Sequence, residues 1–195
     1  MGRRTTFVRE DAVSAARDVF WQDGYDGASM ASLQSATGLN ASSLYHAFGS
    51  KRGLFDAAVE DYLERVVRPG LARFHGERVD PGALAQYFGA ARAILADPTG
   101  RVLPDGCLLV NTACSGLARD DGIAEAVGAY RAELRAAFLR GAAARAPHEP
   151  PDVHERLAET LVALLISALV MARVDQAAAL AALDAALSHL AAREG

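Results

Sequence analysis

The sequence predicts an all-α protein, with an N-terminal three-helix helix-turn-helix unit followed by a larger C-terminal helical body, about nine helices in all. Apolar residues recur at helical spacing almost throughout, and no segment shows the strict alternation of a strand. Alanine, leucine, arginine and glutamate, all good helix formers, dominate the composition. Proline and glycine gather at a few joints between the periodic segments. A chain of 195 residues with 51% hydrophobic and 23% charged side chains builds a packed core, which excludes a disordered polymer.

The first helix is expected from about Phe7 or Arg9 to Gln22. Its apolar stripe is Ala12, Ala16, Val19 and Phe20. Glu10 and Asp11 sit in the first turn, where the helix dipole favours them, and Gly24 ends the helix. Ser29 caps a short second helix, Met30 to Ala36, that buries Met30 and Leu33. Thr37-Gly38-Leu39 forms a tight turn, and Asn40 caps a third helix, Ala41 to Phe48. Gly49-Ser50 breaks that helix, and Ser50 caps a fourth from Lys51 to about Phe74. Asp80-Pro81-Gly82 precedes a helix reaching about Ala96. A loop lies between Asp97-Pro98-Thr99-Gly100 and Leu103-Pro104-Asp105-Gly106. Helices at roughly 107–118, 121–145, 153–173 and 176–192 complete the chain, with Pro147, Pro150 and Pro151 marking a linker.

The net charge is −4, so no chain-wide basic field attracts nucleic acid. Residues 1–55 hold six basic and five acidic side chains, and the acidity lies in the remainder. A polyanion-binding surface is therefore small and confined to the head. Two cysteines, Cys107 and Cys114, are too few for a disulfide scaffold and lack the ligand pairs of a zinc site. On one helix they stand about 10.5 Å apart in rise, beyond reach of a bridge. A reducing, cytoplasmic setting fits, and neither a metal nor a cofactor is expected. The apolar run Leu161–Ala172, broken by Ser167, is too short for a bilayer and reads as a buried helix. Polar residues follow Arg3 and Arg4, so neither a signal peptide nor a membrane partner is expected.

The segment Ser29–Lys51 carries the chemistry. Helices this short need each other and the first helix to exist. On a helical wheel at about 100° per residue, Leu44 points to the core with Ala41, Ala47 and Phe48 near it. Ser42 and His46 then point away, and Ser43 and Tyr45 project sideways. That face offers three hydroxyls and an imidazole without an acidic group, suited to phosphates and base edges. Lys51 opens the next helix, where free backbone N–H groups also favour an anion. Ser29 and Asn40 supply two further N-termini of this kind. The alternative is an ordinary polar surface.

Gly24-Tyr25-Asp26-Gly27-Ala28-Ser29-Met30, Leu33, Ala36-Thr37-Gly38-Leu39-Asn40 and Ser43-Leu44-Tyr45-His46-Ala47-Phe48-Gly49-Ser50-Lys51-Arg52-Gly53-Leu54-Phe55 resemble the DNA-binding region of the TetR/AcrR family. The resemblance implies a DNA-binding domain at 6–66 and a helical effector-binding and dimerisation domain at 67–195. It implies a transcriptional regulator, a repressor released from a palindromic operator in double-stranded DNA by a small-molecule effector. Tyr45 and Lys51 match positions that contact phosphate, Ser43 one that contacts backbone or base, and His46 one that faces the groove. Ser29 matches the cap that sets a helix N-terminus on the backbone. Ala41 and Ala47 depart from the family's polar or aromatic residues, which makes base readout lean. The Arg3–Arg4 arm then serves a minor groove or simply solubilises the terminus. Gly106-Cys107-Leu108-Leu109-Val110-Asn111-Thr112-Ala113 resembles the sixth-helix segment of one subgroup.

In the body, Leu180, Leu183, Leu187 and Leu190 are spaced by 3, 4 and 3 residues, a heptad-like seam. Together with Leu161 and Leu165 it suggests two helices per subunit in a four-helix homodimer interface, the alternative being an intramolecular core. Candidate linings of an internal effector site are Phe88, Arg92, Cys107, Asn111, Cys114, Tyr130, Met171 and Arg173. Cys107 and Cys114 offer a second reading, a redox- or electrophile-sensing regulator of the same fold, against the simpler one of small apolar fillers. His75, His148, His154 and His189 form no motif with either cysteine, so an enzyme is not expected. A helical interaction module without DNA binding is the remaining class.

Overall fold

The computed structural model describes residues 2–97 and 105–192, with side chains from Arg9 onward. Every regular element among them is helical. The chain divides into two compact units, Met1–Pro69 and Gly70–Gly195.

The first unit contains α1 (Gly2–Gly27), α2 (Met30–Thr37), α3 (Ala41–Phe48) and α4 (Lys51–Tyr62). α1 is longer than its stripe suggests, and it is broken at Gly24, whose φ of 73° and ψ of 171° no α-helix accommodates. One further turn, ending at Gly27, follows the break. Ala12, Ala16 and Phe20 are buried as the stripe requires, and Val13 and Trp21 join them. Phe20 and Tyr25 both pack against Phe55 of α4, at centroid distances of 5.1 and 5.2 Å. Trp21 meets Tyr62 edge-on at 4.9 Å. Beside this aromatic wedge, Arg17 of α1 donates to Asp61 of α4 at 2.7 Å, with both side chains largely buried.

The long fourth helix expected to Phe74 is interrupted. After Tyr62 come a π-helical turn, Leu63–Val67, then α5 (Arg68–Leu71) and a 3₁₀ turn, Ala72–Phe74. Pro69 explains the interruption. In an α-helix its ring would strike the carbonyl four residues back, at Arg65. The wider turn, in which the Arg68 N–H reaches the Leu63 carbonyl, relieves that clash.

The second unit is built from α6 (Ala83–Ala96), α7 (Leu108–Ala113), α8 (Asp121–Arg145), α9 (Pro151–Met171) and α10 (Gln176–Ala191). Pro151 starts α9 at a position where its missing N–H has no helical partner to lose. The helix expected at 107–118 ends at Ala113, and a 3₁₀ turn, Gly116–Arg119, capped by Ser115 takes over. The loop expected around 98–104 lies outside the described residues. α9 packs between α8 and α10, and α10 also packs on α6. Phe74, Tyr87, Phe88 and Phe138 form one aromatic cluster with centroids 5.2–5.9 Å apart. Arg140 ties the cluster's edge by donating to the Phe74 carbonyl at 2.7 Å.

The leucine seam divides on inspection. Leu161, Leu165, Leu183 and Leu190 are buried within the single chain, whereas Leu180 and Leu187 are half-buried. Leu161 and Leu165 belong to the core because α9 packs between α8 and α10, and Leu183 and Leu190 because α10 contacts α6 as well as α9.

Phe138 is fully buried at the centre of the aromatic cluster, against Phe74, Tyr87 and Phe88. Phe138→Ala is expected to lower stability by about 3–5 kcal/mol, read from urea unfolding by circular dichroism. A loss below about 1 kcal/mol would show that the cluster repacks freely.

Candidate nucleic-acid interface

Two eight-residue helices, α2 and α3, carry most of the expected contacts, and local hydrogen bonds define their ends. Ser29 Oγ accepts from the Ser32 N–H at 3.0 Å, and Asn40 Oδ1 accepts from the Ser43 N–H at 2.9 Å. Ser50 Oγ accepts from the Gly53 N–H at 3.0 Å and starts α4. Between α2 and α3 the chain reverses at Gly38, which takes the left-handed conformation at φ 68°. Thr37 Oγ1 stabilises the reversal by donating to the Leu33 carbonyl and accepting from the Leu39 N–H.

Leu44 is the buried anchor of α3, at 2% exposure, with Ala41 and Phe48 half-buried beside it. Ala47, expected near the core, is exposed. A two-turn helix held at one fully buried position leaves the margin of its apolar arc in solvent. Ser42, Ser43, Tyr45 and His46 are all exposed, with Tyr45 at 48%. The Asn40 and Ser29 caps are exposed as well. Lys51 is half-buried, its Nζ 4.6 Å from the centroid of the Tyr25 ring. The structure thus brings Ser42, Ser43, Tyr45 and His46 onto one short helix, with Lys51 three residues beyond its end. The side chains of Arg3 and Arg4 lie outside the described residues.

Three residues of this site escape a reading by helical wheel. Gln34 spans the turn, its Nε2 donating to the Met30 carbonyl at 3.1 Å and its Oε1 accepting from the Ala41 N–H at 3.0 Å. It thereby satisfies an orphan donor of α3 from seven residues away. Gly53 lies so close to the end of α3 that a Cβ there would meet the Phe48 carbonyl oxygen at 2.2 Å. Arg9 of α1 lies over the Phe48 ring at 4.9 Å. Spacing alone flags none of them, because each contact joins two elements whose relative placement periodicity leaves open.

With this geometry the likeness to known proteins is specific. Residues 12–58 match the family model described as bacterial regulatory proteins, tetR family. The HTH-type transcriptional repressor ComR of Escherichia coli is 38% identical over 122 residues, which is 62% of this chain and 56% of ComR. This chain therefore spans little more than half of that relative's length. YezE of Bacillus subtilis, an uncharacterised HTH-type transcriptional regulator, is 30% identical over 141 residues, covering 72% of this chain and 71% of YezE. The chain belongs to the TetR family. Among solved structures, a cysteine-substituted form of the TetR family transcriptional regulator CifR, complexed with 26-bp double-strand operator DNA, is 33% identical. It superposes with a TM-score of 0.75 over 92% of this chain and 95% of CifR.

The effector-site candidates of this TetR-family chain separate into two groups. Phe88, Cys107 and Tyr130 are interior, and Cys107 Sγ–H donates to the Tyr130 hydroxyl at 3.6 Å. Tyr87 lies in the same region, and burial pushes its phenol well above the ordinary range. Asn111 is half-buried, with its Nδ2 donating to the Asp105 carbonyl at 2.7 Å, and Met171 is half-buried. Arg92, Cys114 and Arg173 do not line an interior. Arg92 pairs with Asp184 of α10 at 2.5 Å on the surface, and Cys114 and Arg173 are exposed. Cys114 caps the end of α7, and Arg173 lies just past the end of α9. Among the described residues, no group of three or more His, Cys, Asp or Glu side chains is arranged to hold a metal ion. No described helix is long and apolar enough to cross a membrane.

Gly53→Ala sets a methyl group against a backbone carbonyl, which cannot swing aside as a side chain would. The expected result is a loss of about 1–3 kcal/mol in stability, measured by chemical denaturation. Unchanged stability would mean that the α3–α4 junction is slack.

Proposed function

We propose that this chain is a homodimeric, sequence-specific DNA-binding repressor that acts in the cytoplasm and is released from its operator by a small-molecule effector. The observation that carries the reading is the exposed row Ser42, Ser43, Tyr45 and His46 on α3, followed by Lys51 at the start of α4. Hydroxyl, phenol and imidazole groups exchange hydrogen bonds with base edges and phosphates, and the ammonium releases a condensed counterion. CifR, complexed with operator DNA, and ComR, a repressor, support the same reading.

Within it, α3 enters the major groove. Tyr45 and Lys51 hold phosphates, and Ser42, Ser43 and His46 meet base edges or the adjacent backbone. The caps at Ser29 and Asn40 direct free N–H groups at the backbone. Residues 6–66 form the reading head, and 67–195 pair the subunits and take the effector. A two-fold dimer sets two α3 helices about one DNA turn apart, or a multiple of it, on a near-palindrome. Leu180 and Leu187, half-buried in the single chain, are the seam residues with area left to bury against a second copy. The interior around Phe88, Cys107 and Tyr130 is the effector site. An effector that binds better to a dimer state with mismatched head spacing lowers operator affinity by linkage.

A second reading rests on Cys107 and Cys114, which stand at the two ends of α7, one buried and one exposed. In it an oxidant or electrophile, rather than a reversible ligand, triggers release. Release by peroxide that persists unchanged in both Cys107→Ser and Cys114→Ser removes this reading.

The function is tested by fluorescence anisotropy with a duplex carrying the chain's own upstream region. Binding is expected to weaken steeply with salt, and Lys51→Ala is expected to reduce the slope of log K against log salt by about one per lost phosphate contact. Tyr45→Phe weakens binding to all sequences, whereas Ser42→Ala and His46→Ala change sequence preference. A monomeric mass with and without DNA, or binding indifferent to both salt and sequence, would overturn the proposal.

A further inference from the structure

Cations in the first unit are held in two different ways. Arg17 sits on Asp18 and Asp61, Arg52 on Asp56, and Arg65 on Asp61, all at 2.7 Å. Each of these charges is neutralised by its partner. Lys51, the chain's only lysine, instead lies over an aromatic face, 4.6 Å from the Tyr25 centroid. A ring quadrupole attracts an ammonium without cancelling its charge, so the cation keeps its full attraction for an incoming anion.

Tyr25 is well placed to act as such a platform. It follows the break at Gly24, and its ring packs edge-on against Phe55 at 5.2 Å and lies 6.1 Å from Phe20. Both of those phenylalanines are fully buried, so the core fixes one side of the ring while its remaining surface is half-exposed. Lysine has a flexible four-carbon stem and a strongly hydrated head, and ordering it is a large part of what a phosphate contact must overcome. A rigid ring that orders the stem beforehand removes part of that opposition.

We propose that Tyr25 is a positioning residue for DNA binding, its ring holding the Lys51 ammonium extended, ordered and fully charged at the start of α4. The proposal rests on the DNA-binding reading above, and two measurements separate the fates of the two. The first needs no DNA. Because Lys51 is the only lysine, ¹³C-lysine labelling of the full chain gives a single ε-methylene signal to follow. Ring current is expected to shift it upfield, and the shift disappears in Tyr25→Leu. A signal at the free-lysine position in the unmodified protein overturns the proposal whatever the protein binds.

The second measurement is a double-mutant cycle in anisotropy with the same upstream duplex. Tyr25→Phe keeps the ring and binds within about two-fold of the unmodified protein, whereas Tyr25→Leu weakens binding by about five-fold per head. In a Lys51→Met background, Tyr25→Leu has no further effect. Equal weakening in both backgrounds would mean that Tyr25 merely supports the fold and would overturn the proposal. If Tyr25→Leu does not fold, phenylalanine analogues of increasing fluorination at position 25 keep the shape while draining the quadrupole. Affinity then falls with each fluorine only if Lys51 is present. If the unmodified protein does not bind the duplex but the upfield shift is seen, the DNA-binding reading falls, and the positioning role falls with it although the contact is real.

Discussion

Two turns of helix cannot hold their own shape in water, and everything at the candidate interface depends on what holds α2 and α3 in place. The support is the contact of α1 with α4, in which Phe20, Tyr25 and Phe55 form an aromatic wedge and Arg17 reaches Asp61 beside it. The apolar wedge carries most of the favourable free energy. An ion pair this sheltered from water roughly balances its own desolvation, but it penalises any register in which either charge loses its partner. Sheltered charges thus select one register, and burial makes that register stable. The short helices then need only Leu33 and Leu44 as anchors, because their ends are closed by Ser29, Asn40 and Gln34.

This division of labour leaves the outer face of α3 free of structural duty. Ser42, Ser43, Tyr45 and His46 make no contribution to the core, so their identities are open to selection by a ligand. The residues that cannot vary lie behind them. Gly53 permits the end of α3 to approach the first turn of α4, and Gly38 turns the chain between the two helices. A fixed scaffold with a variable face suits a unit that recognises one polyanion shape while reading different sequences along it.

Much of this was legible in the sequence, and the reason differs from element to element. The third helix begins and ends as its cap and glycine dictate, at Ala41 and Phe48, because the signals that set it are local. The all-helical class follows from periodicity and composition, which are sums over many residues. What stayed hidden is long-range. The fourth helix is the exception, since Pro69 stands in the sequence as a visible breaker, and its clash with the Arg65 carbonyl is local although the widened turn that answers it is not spelled out by spacing. The leucine seam reads equally well as an interface or a core. Only the packing of α10 on both α6 and α9 assigns Leu183 and Leu190 to the interior. Arg92 and Arg173, candidate linings by sequence, stand outside the interior, because an arginine at the edge of an apolar helix lowers its free energy by turning to solvent or to a carboxylate such as Asp184.

The same physics links the two ends of the candidate site. A cation beside an acidic side chain is stable but spent, whereas a cation beside a ring is ordered and still available. The first unit has near-balanced charge, so any attraction for a polyanion must come from cations that its own carboxylates do not silence. Arg17, Arg52 and Arg65 are silenced in this sense, Arg17 by a pair that joins α1 to α4 and the other two by pairs one turn apart along their own helical stretch. Among the described side chains, Arg9 and Lys51 are the two whose aromatic partners, Phe48 and Tyr25, belong to or adjoin the α2–α3 segment. A nearly neutral head can therefore present a locally positive edge next to α3 without an excess of basic residues. Its field then depends on the placement of a few side chains rather than on their number.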